Sequence, residues 1–114
     1  GVQTCALPIS LRTVGAKSGK PREVQLTYFH DGSDVILVAS NFGQSKHPQW
    51  YYNLKANPDC TFGQEPFTAV QVTDADEYER LYELAKRVYA GYGDYREKTQ
   101  DSGRQIPIFR LKPR

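Results

Sequence analysis

The stretch Leu11-Arg12-Thr13-Val14-Gly15-Ala16-Lys17-Ser18-Gly19-Lys20-Pro21-Arg22-Glu23-Val24-Gln25-Leu26-Thr27-Tyr28 decides the fold. Leu11 to Val14 is short and β-like, and Gly15 to Pro21 is a polar turn. After it Val24, Leu26 and Tyr28 recur at period two, with Glu23, Gln25 and Thr27 between them. Apolar and polar residues in strict alternation mark a strand with one buried face, so the stretch reads as a β-hairpin. Asp31-Gly32 is a turn dipeptide. Beyond it Val35-Ile36-Leu37-Val38-Ala39 is a continuous apolar run of the length of a strand buried on both faces. Three closely connected strands predict an antiparallel meander.

Further along, Ser45 to Lys55 changes character. Pro48 suits a first helical turn, Trp50 and Leu54 lie four apart on one face, and Asn57-Pro58 stops the run, which predicts one short helix. Thr61-Phe62 and then Phe67, Ala69, Val70 and Val72 predict two strands around Gly63 to Pro66. Tyr78, Leu81, Tyr82, Ala85, Val88 and Tyr89 follow the i, i+3, i+4, i+7 rhythm of an amphipathic helix, with Thr73 as its expected N-cap and Gly91 as its end. Tyr92 to Thr99 reads as a further helical turn or two. Ile106 to Leu111 reads as a last strand, with Pro107 at a sheet edge or a strand start. Strands interrupted by two helical segments give an α+β class, mostly antiparallel, with a short helix after the third strand and a longer one before the last.

Composition bounds the function. The chain has 114 residues, 39% hydrophobic and 25% charged with a net charge of +2, enough for one domain and too little basic surface for the phosphate contacts of nucleic-acid binding. No apolar run approaches the roughly 20 residues that cross a bilayer. There is no methionine. Gly1 to Ser10 resembles a translated sequencing adapter, so residues 1–10 are expected to be non-native and 11–114 to be a single, N-terminally truncated domain. Cys60 is then the one native cysteine, which leaves no disulfide framework or thiolate metal cluster.

Four constellations can carry chemistry. Gly15 to Arg22 collects Lys17, Lys20 and Arg22 around two glycines with no acid before Glu23, the composition of an anion-binding loop. It is not a Walker loop, since Pro21 stands where a Ser or Thr would bind magnesium and a strand follows. Ala39-Ser40-Asn41 places small hydrogen-bonding side chains where a buried strand reaches solvent. On the short helix, Trp50 and Asn53 are one turn apart. Tyr89, Tyr92 and Tyr95 repeat every third residue beside Gly91 and Gly93, offering apolar bodies with hydroxyl tips. His30 and His47 sit in different elements without a Glu or Cys at ligand spacing, so no metal is assigned.

In this order and spacing, Thr13-Val14-Gly15-x-Lys17-Ser18-Gly19-Lys20-Pro21-Arg22, Ala39-Ser40-Asn41, His47-Pro48-x-Trp50-Tyr51-x-Asn53-Leu54-x-Ala56-Asn57-Pro58 and Tyr89 to Tyr95 resemble the deazaflavin-dependent nitroreductase family. The resemblance covers essentially everything after Ser10. It implies a split β-barrel of the flavin-mononucleotide-binding type and the reduced 8-hydroxy-5-deazaflavin coenzyme, factor 420, as reductant of quinones, nitroaromatics and related planar acceptors.

The resemblance also implies roles by position. Lys17, Ser18 and Arg22 would hold the coenzyme's phosphate and oligoglutamate tail, with Gln25 and Tyr28 on the strand beneath it. Val38, Ala39, Ser40, Asn41, Gln49, Trp50, Tyr51, Tyr52 and Asn53 would border the ring. Tyr92 would touch the ring, and Tyr89, Tyr92 and Tyr95 would line the acceptor pocket, with Tyr92 or Tyr95 as the expected proton donor. Many members carry a basic residue where Ala16 stands and a glycine where Phe42 stands. A cytoplasmic enzyme with peripheral membrane contact and a homodimer fit the same expectation. Two rivals stand beside it: a flavin-mononucleotide or haem protein on the same barrel, and a non-catalytic module that binds an acidic partner.

Overall fold

The computed structural model describes residues 9–40, 46–88, 91–93 and 105–114. Within them run β1 (Ile9–Val14), β2 (Pro21–Leu26), β3 (Phe29–Asp31), β4 (Asp34–Val38), α1 (Gln49–Ala56), β5 (Asp59–Phe62), β6 (Glu65–Gln71), α2 (Ala75–Val88) and β7 (Ile108–Pro113). All seven strands join one sheet in the order β2-β1-β5-β6-β7-β4-β3, and each neighbouring pair is antiparallel.

The expected hairpin forms between β1 and β2, but the meander does not. β2 and β3 occupy opposite edges of the sheet, although only Thr27 and Tyr28 separate them. Seven strands spaced about 4.8 Å apart would put the edges of a flat sheet roughly 29 Å apart. Three Cα steps reach at most about 11 Å. The sheet must therefore roll up until its edges meet. The path from Pro21 to Asp31 is one bent strand whose first half pairs with β1 and whose second half pairs with β4. The result is a split barrel, joined along its seam by the chain rather than by a ladder.

Side-chain alternation follows from this curvature. Inward-facing Leu11, Phe62, Cys60, Phe67, Ala69, Phe109, Leu111, Val35, Leu37 and Ala39 form one core, which Trp50, Tyr51 and Leu54 of α1 complete. Outward-facing Phe29, Ile36, Val38, Val72 and Ile108 form a second core with Tyr78, Leu81, Tyr82 and Ala85 of α2 and with Tyr92. β4 contributes to both cores, as its unbroken apolar run predicts. β7 is an interior strand rather than an edge, and Pro107 stands just before it, where no ladder donor is needed.

The helices start later than expected. α1 begins at Gln49 with Pro48 as its N-cap in extended conformation. α2 is capped by Asp74 rather than Thr73. The Asp74 carboxylate accepts from the Glu77 amide at 2.9 Å, and the Asp74 carbonyl accepts from the Tyr78 amide. A carboxylate satisfies the free amides and suits the positive helix end better than a threonine hydroxyl. Gly91 does not end a helix in left-handed conformation, since 91–93 is itself helical.

Candidate functional site

Every segment flagged above that the described residues include, apart from the β2 to β3 bend and Tyr92, converges on one mouth of the barrel. β1 and β4 end there, β5 and β7 begin there, and α1 lies across the opening, leading through Asn57-Pro58 straight into β5. The turn between β1 and β2 projects from the same rim. Its shape is held internally: Gly15 N–H bonds the Lys20 carbonyl at 2.8 Å, Gly19 N–H the Gly15 carbonyl at 3.0 Å, and Lys20 N–H the Ser18 hydroxyl at 3.2 Å. Gly19 has φ +68, a conformation that favours glycine, and a Cβ on Gly15 would lie 2.4 Å from Ser18 Oγ.

The turn is cationic and open. Lys17, Ser18, Lys20 and Arg22 are exposed, and among the described residues no carboxylate pairs with Lys17, Lys20 or Arg22. Arg22 stands opposite Thr13 in the ladder, on the inward face of the barrel at the rim. Val24 follows on that face and is 36% exposed, so the inner wall of β2 is left partly uncovered beside the cation cluster. Gln25 points the other way, paired with Ser10 on the outer face.

The α1 residues divide. Gln49 and Tyr52 are exposed, whereas Trp50 and Tyr51 are buried with their rings 6.0 and 5.8 Å from Phe109. His47 lies over Tyr51 at 4.3 Å. Asn53 is buried and ties the helix to the turn through hydrogen bonds to Ala16 N–H and Thr13 Oγ1. Ala39 and Ser40 are buried at the rim, where Ala39 N–H bonds the Pro107 carbonyl at 2.9 Å. Tyr28 turns inward against Phe62.

Val38 and Tyr92 lie on the outer side, in the core beneath α2. Tyr92 is buried, its hydroxyl is 2.9 Å from Thr27 Oγ1, and its carbonyl accepts from the Tyr82 hydroxyl. Asn41, Tyr89 and Tyr95 fall outside the described residues. The structure thus gathers Lys17, Ser18, Arg22, Ala39, Ser40, Gln49, Trp50, Tyr51, Tyr52 and Asn53 at the mouth and sets Gln25, Val38 and Tyr92 on the outer face.

Sequence reading overlooked a cleft of about 510 Å³ at the same mouth, lined by His47, Tyr51, Gln71, Val72, Thr73, Ala75, Tyr78, Gln105 and Pro107. The ends of β6 and the starts of α1, α2 and β7 meet around it. No periodicity announces such a meeting of element ends. Its walls mix the rings of His47, Tyr51 and Tyr78 with the polar side chains of Gln71, Thr73 and Gln105, so it is at least as polar as apolar.

The family model and the more similar relatives agree on one family. The sequence matches the F420H(2)-dependent quinone reductase family over residues 2–113, and the chain belongs to that family. It is 39% identical to an F420H(2)-dependent quinone reductase of Mycobacterium tuberculosis, over 91% of this chain and 72% of that protein. A solved F420-H2-dependent reductase superposes with TM-score 0.78 at 36% identity, covering 98% of this chain and all of the other. A structure described as a domain-swapped dimer gives TM-score 0.80 at 36% identity, over 94% of this chain and 81% of that one. A haem storage protein of Vibrio cholerae, at TM-score 0.65 and 15% identity, shares the barrel alone. No helix among the described residues is long and apolar enough to cross a membrane.

Proposed function

We propose that this chain passes a hydride from reduced factor 420 to a quinone or similar planar acceptor, with the coenzyme's anionic tail on the Gly15 to Arg22 turn and its ring at the barrel mouth. The family supports the reductant and the acceptor class. The observation that carries the placement is the set Lys17, Lys20 and Arg22, without a carboxylate partner among the described residues, on an open rim beside the partly uncovered inner wall of β2. Phosphate and carboxylate groups suit such a donor set, because each charge-assisted hydrogen bond is shorter and stronger than a neutral one.

When bound, the reduced deazaflavin supplies the hydride. The protein's part is recognition and shape. Lys17, Ser18 and Arg22 hold the tail, Gln49 and Tyr52 offer polar edges along α1, and the strand end at Ala39 and Ser40 forms the rim beside the ring. In this reading the proton comes from the Tyr95 hydroxyl or from water, and Tyr89 lines the acceptor pocket; Tyr92, expected for the same role, is buried in the outer core with its hydroxyl against Thr27 and does not face a ring at the mouth.

Fluorescence titration of factor 420 into the protein, followed by quinone reduction at saturating coenzyme, tests the proposal. Binding with turnover supports it. Binding without turnover favours the non-catalytic module, and a flavin or haem spectrum in freshly purified protein favours the rival cofactors. The homodimer belongs to the same reading, supported by the domain-swapped neighbour, and a molar-mass measurement in solution checks it.

A further inference from the structure

The cationic turn and helix α1 meet at one side chain. Asn53 is 2% exposed. Its Oδ1 accepts from the Ala16 backbone N–H at 3.0 Å and from Gln49 Nε2 at 3.3 Å, and its Nδ2 donates to Thr13 Oγ1 at 3.2 Å. The Ala16 backbone N–H can only donate, which fixes the atom it meets as the oxygen and gives the amide a single orientation. The side chain therefore spans three elements: the last turns of β1, the first residue of the loop that follows Gly15, and one face of α1.

The loop's own hydrogen bonds hold its shape, closing Gly15 against Lys20 and Gly19. They do not set its position relative to α1. The bond from Ala16 does, and it is made to a helix whose Trp50, Tyr51 and Leu54 are embedded in the inner core. A neutral amide suits the place. Aspartate would put a negative charge beneath Lys17 and Arg22, and leucine would leave the Ala16 N–H without its acceptor.

We propose that Asn53 is a positioning residue for anion recognition. It does not touch the coenzyme. It fastens the turn at Ala16, so that Lys17, Ser18 and Arg22 are held in register with the exposed face of α1. Tail recognition is thereby referenced to the barrel core instead of resting on a loose surface loop, which lowers the ordering cost that binding would otherwise carry. This inference rests on the proposed placement of the coenzyme tail.

The test uses Asn53→Leu and the isosteric Thr13→Val, with three readouts: exchange of the Ala16 amide hydrogen, coenzyme Kd from its fluorescence, and kcat at saturating coenzyme. In Asn53→Leu all three side-chain hydrogen bonds go, two of them only partly buried; the Ala16 amide exchanges faster and Kd rises about tenfold, while kcat falls by less than about threefold. Thr13→Val, which removes only the partner of Nδ2, raises Kd about threefold. An unchanged Kd alongside a deprotected Ala16 amide overturns the inference, as does a collapse of kcat at unchanged Kd, which would place Asn53 at the reacting ring. If Asn53→Leu does not fold, Thr13→Val decides by the same criterion. A Lys17→Glu/Arg22→Glu control separates the two levels: unchanged affinity there defeats the tail placement itself, whereas a loss there with unaffected Asn53 and Thr13 variants defeats the positioning role alone.

Discussion

Two clusters of positive charge sit on this barrel, and they have opposite fates. On the outer face Arg110 of β7 bonds Asp31 at 2.8 Å, Asp34 at 2.9 Å and Glu77 at 2.6 Å, and Arg80 of α2 forms a bidentate pair with Asp31. The Arg110 side chain is 14% exposed. Burial works against that charge, but the hydrogen bonds to Asp34, Asp31 and Glu77 outweigh it and raise the arginine further above its ordinary value. At the mouth, by contrast, Lys17, Lys20 and Arg22 are exposed and no acid answers them among the described residues. A cation cluster that has found its carboxylates is a clamp between elements. One that has not is open to a ligand.

The largest effect expected from this contrast is on the open cluster. On the proposed placement of the tail, Lys17→Glu with Arg22→Glu would remove two charge-assisted contacts worth about 1.5 to 3 kcal/mol each and add repulsion, so coenzyme affinity should fall at least about a hundredfold. The thermal midpoint stays within a few degrees, since neither side chain bonds to another of the described residues. Fluorescence titration beside thermal unfolding reads both. A large drop in midpoint would mean that the turn is structural, and the contrast would fail.

Next comes the satisfied cluster. Arg110→Met leaves Asp31, Asp34 and Glu77 facing one another with Arg80 as the one remaining cation paired to them among the described residues. Stranding partly buried carboxylates in this way costs about 2 to 3 kcal/mol, below the figure for a fully buried pair because water still reaches the site. Urea unfolding should show that loss while coenzyme affinity stays unchanged. Equal damage to binding would couple the two clusters.

The two clusters also differ in how far the sequence reveals them. The open one is contiguous, from Gly15 to Arg22, and the glycines, the lack of acids and the strand that follows are all visible in one line of residues. The clamp draws on Asp31, Asp34, Glu77, Arg80 and Arg110, whose meeting depends on β3, β4, β7 and α2 lying side by side, which no local pattern encodes. The barrel seam was hidden for a similar reason. Leu26 and Tyr28 continue the inward alternation of β2, and Phe29 simply takes the next outward place, so periodicity runs unbroken across the point where the strand changes partner. Asp74-x-x-Glu77 is a readable capping signal ahead of α2, and it outweighs Thr73 one residue earlier. Tyr92 carries no sign of its face, because helical spacing in the tyrosine run does not say which core receives it.

A smaller effect tests the shape of the open turn rather than its charge. In Gly15→Ala the new methyl would meet Ser18 Oγ at 2.4 Å and the Lys20 carbonyl at 3.3 Å. Ser18 can swing away, but it then loses its bond to the Lys20 amide. Coenzyme affinity should fall about fivefold, the equivalent of about one neutral hydrogen bond, with stability changed by less than about 1 kcal/mol. No loss of affinity would show that charge alone defines the site and that its backbone is incidental.

The smallest effect belongs to the clamp under acid. Hydrogen bonds from Arg80 and Arg110 lower the Asp31 carboxyl from 3.8 to about 2. A depressed carboxyl stabilises the fold fully above its unfolded value and loses that contribution as pH falls through the folded one. Stability should therefore slope downward between about pH 4 and pH 2, by about 1 kcal/mol from this group once solvent screening is allowed for. Arg80→Gln removes the largest cause of the shift, so the same denaturation series on that variant should show a shallower acid limb and a lower plateau near neutral pH. Arg80 is also the half of the clamp that reaches furthest into water. An identical acid limb in the variant would assign the shift to Arg110 alone and shrink the clamp to the residues that β3, β4, β7 and Glu77 bring together.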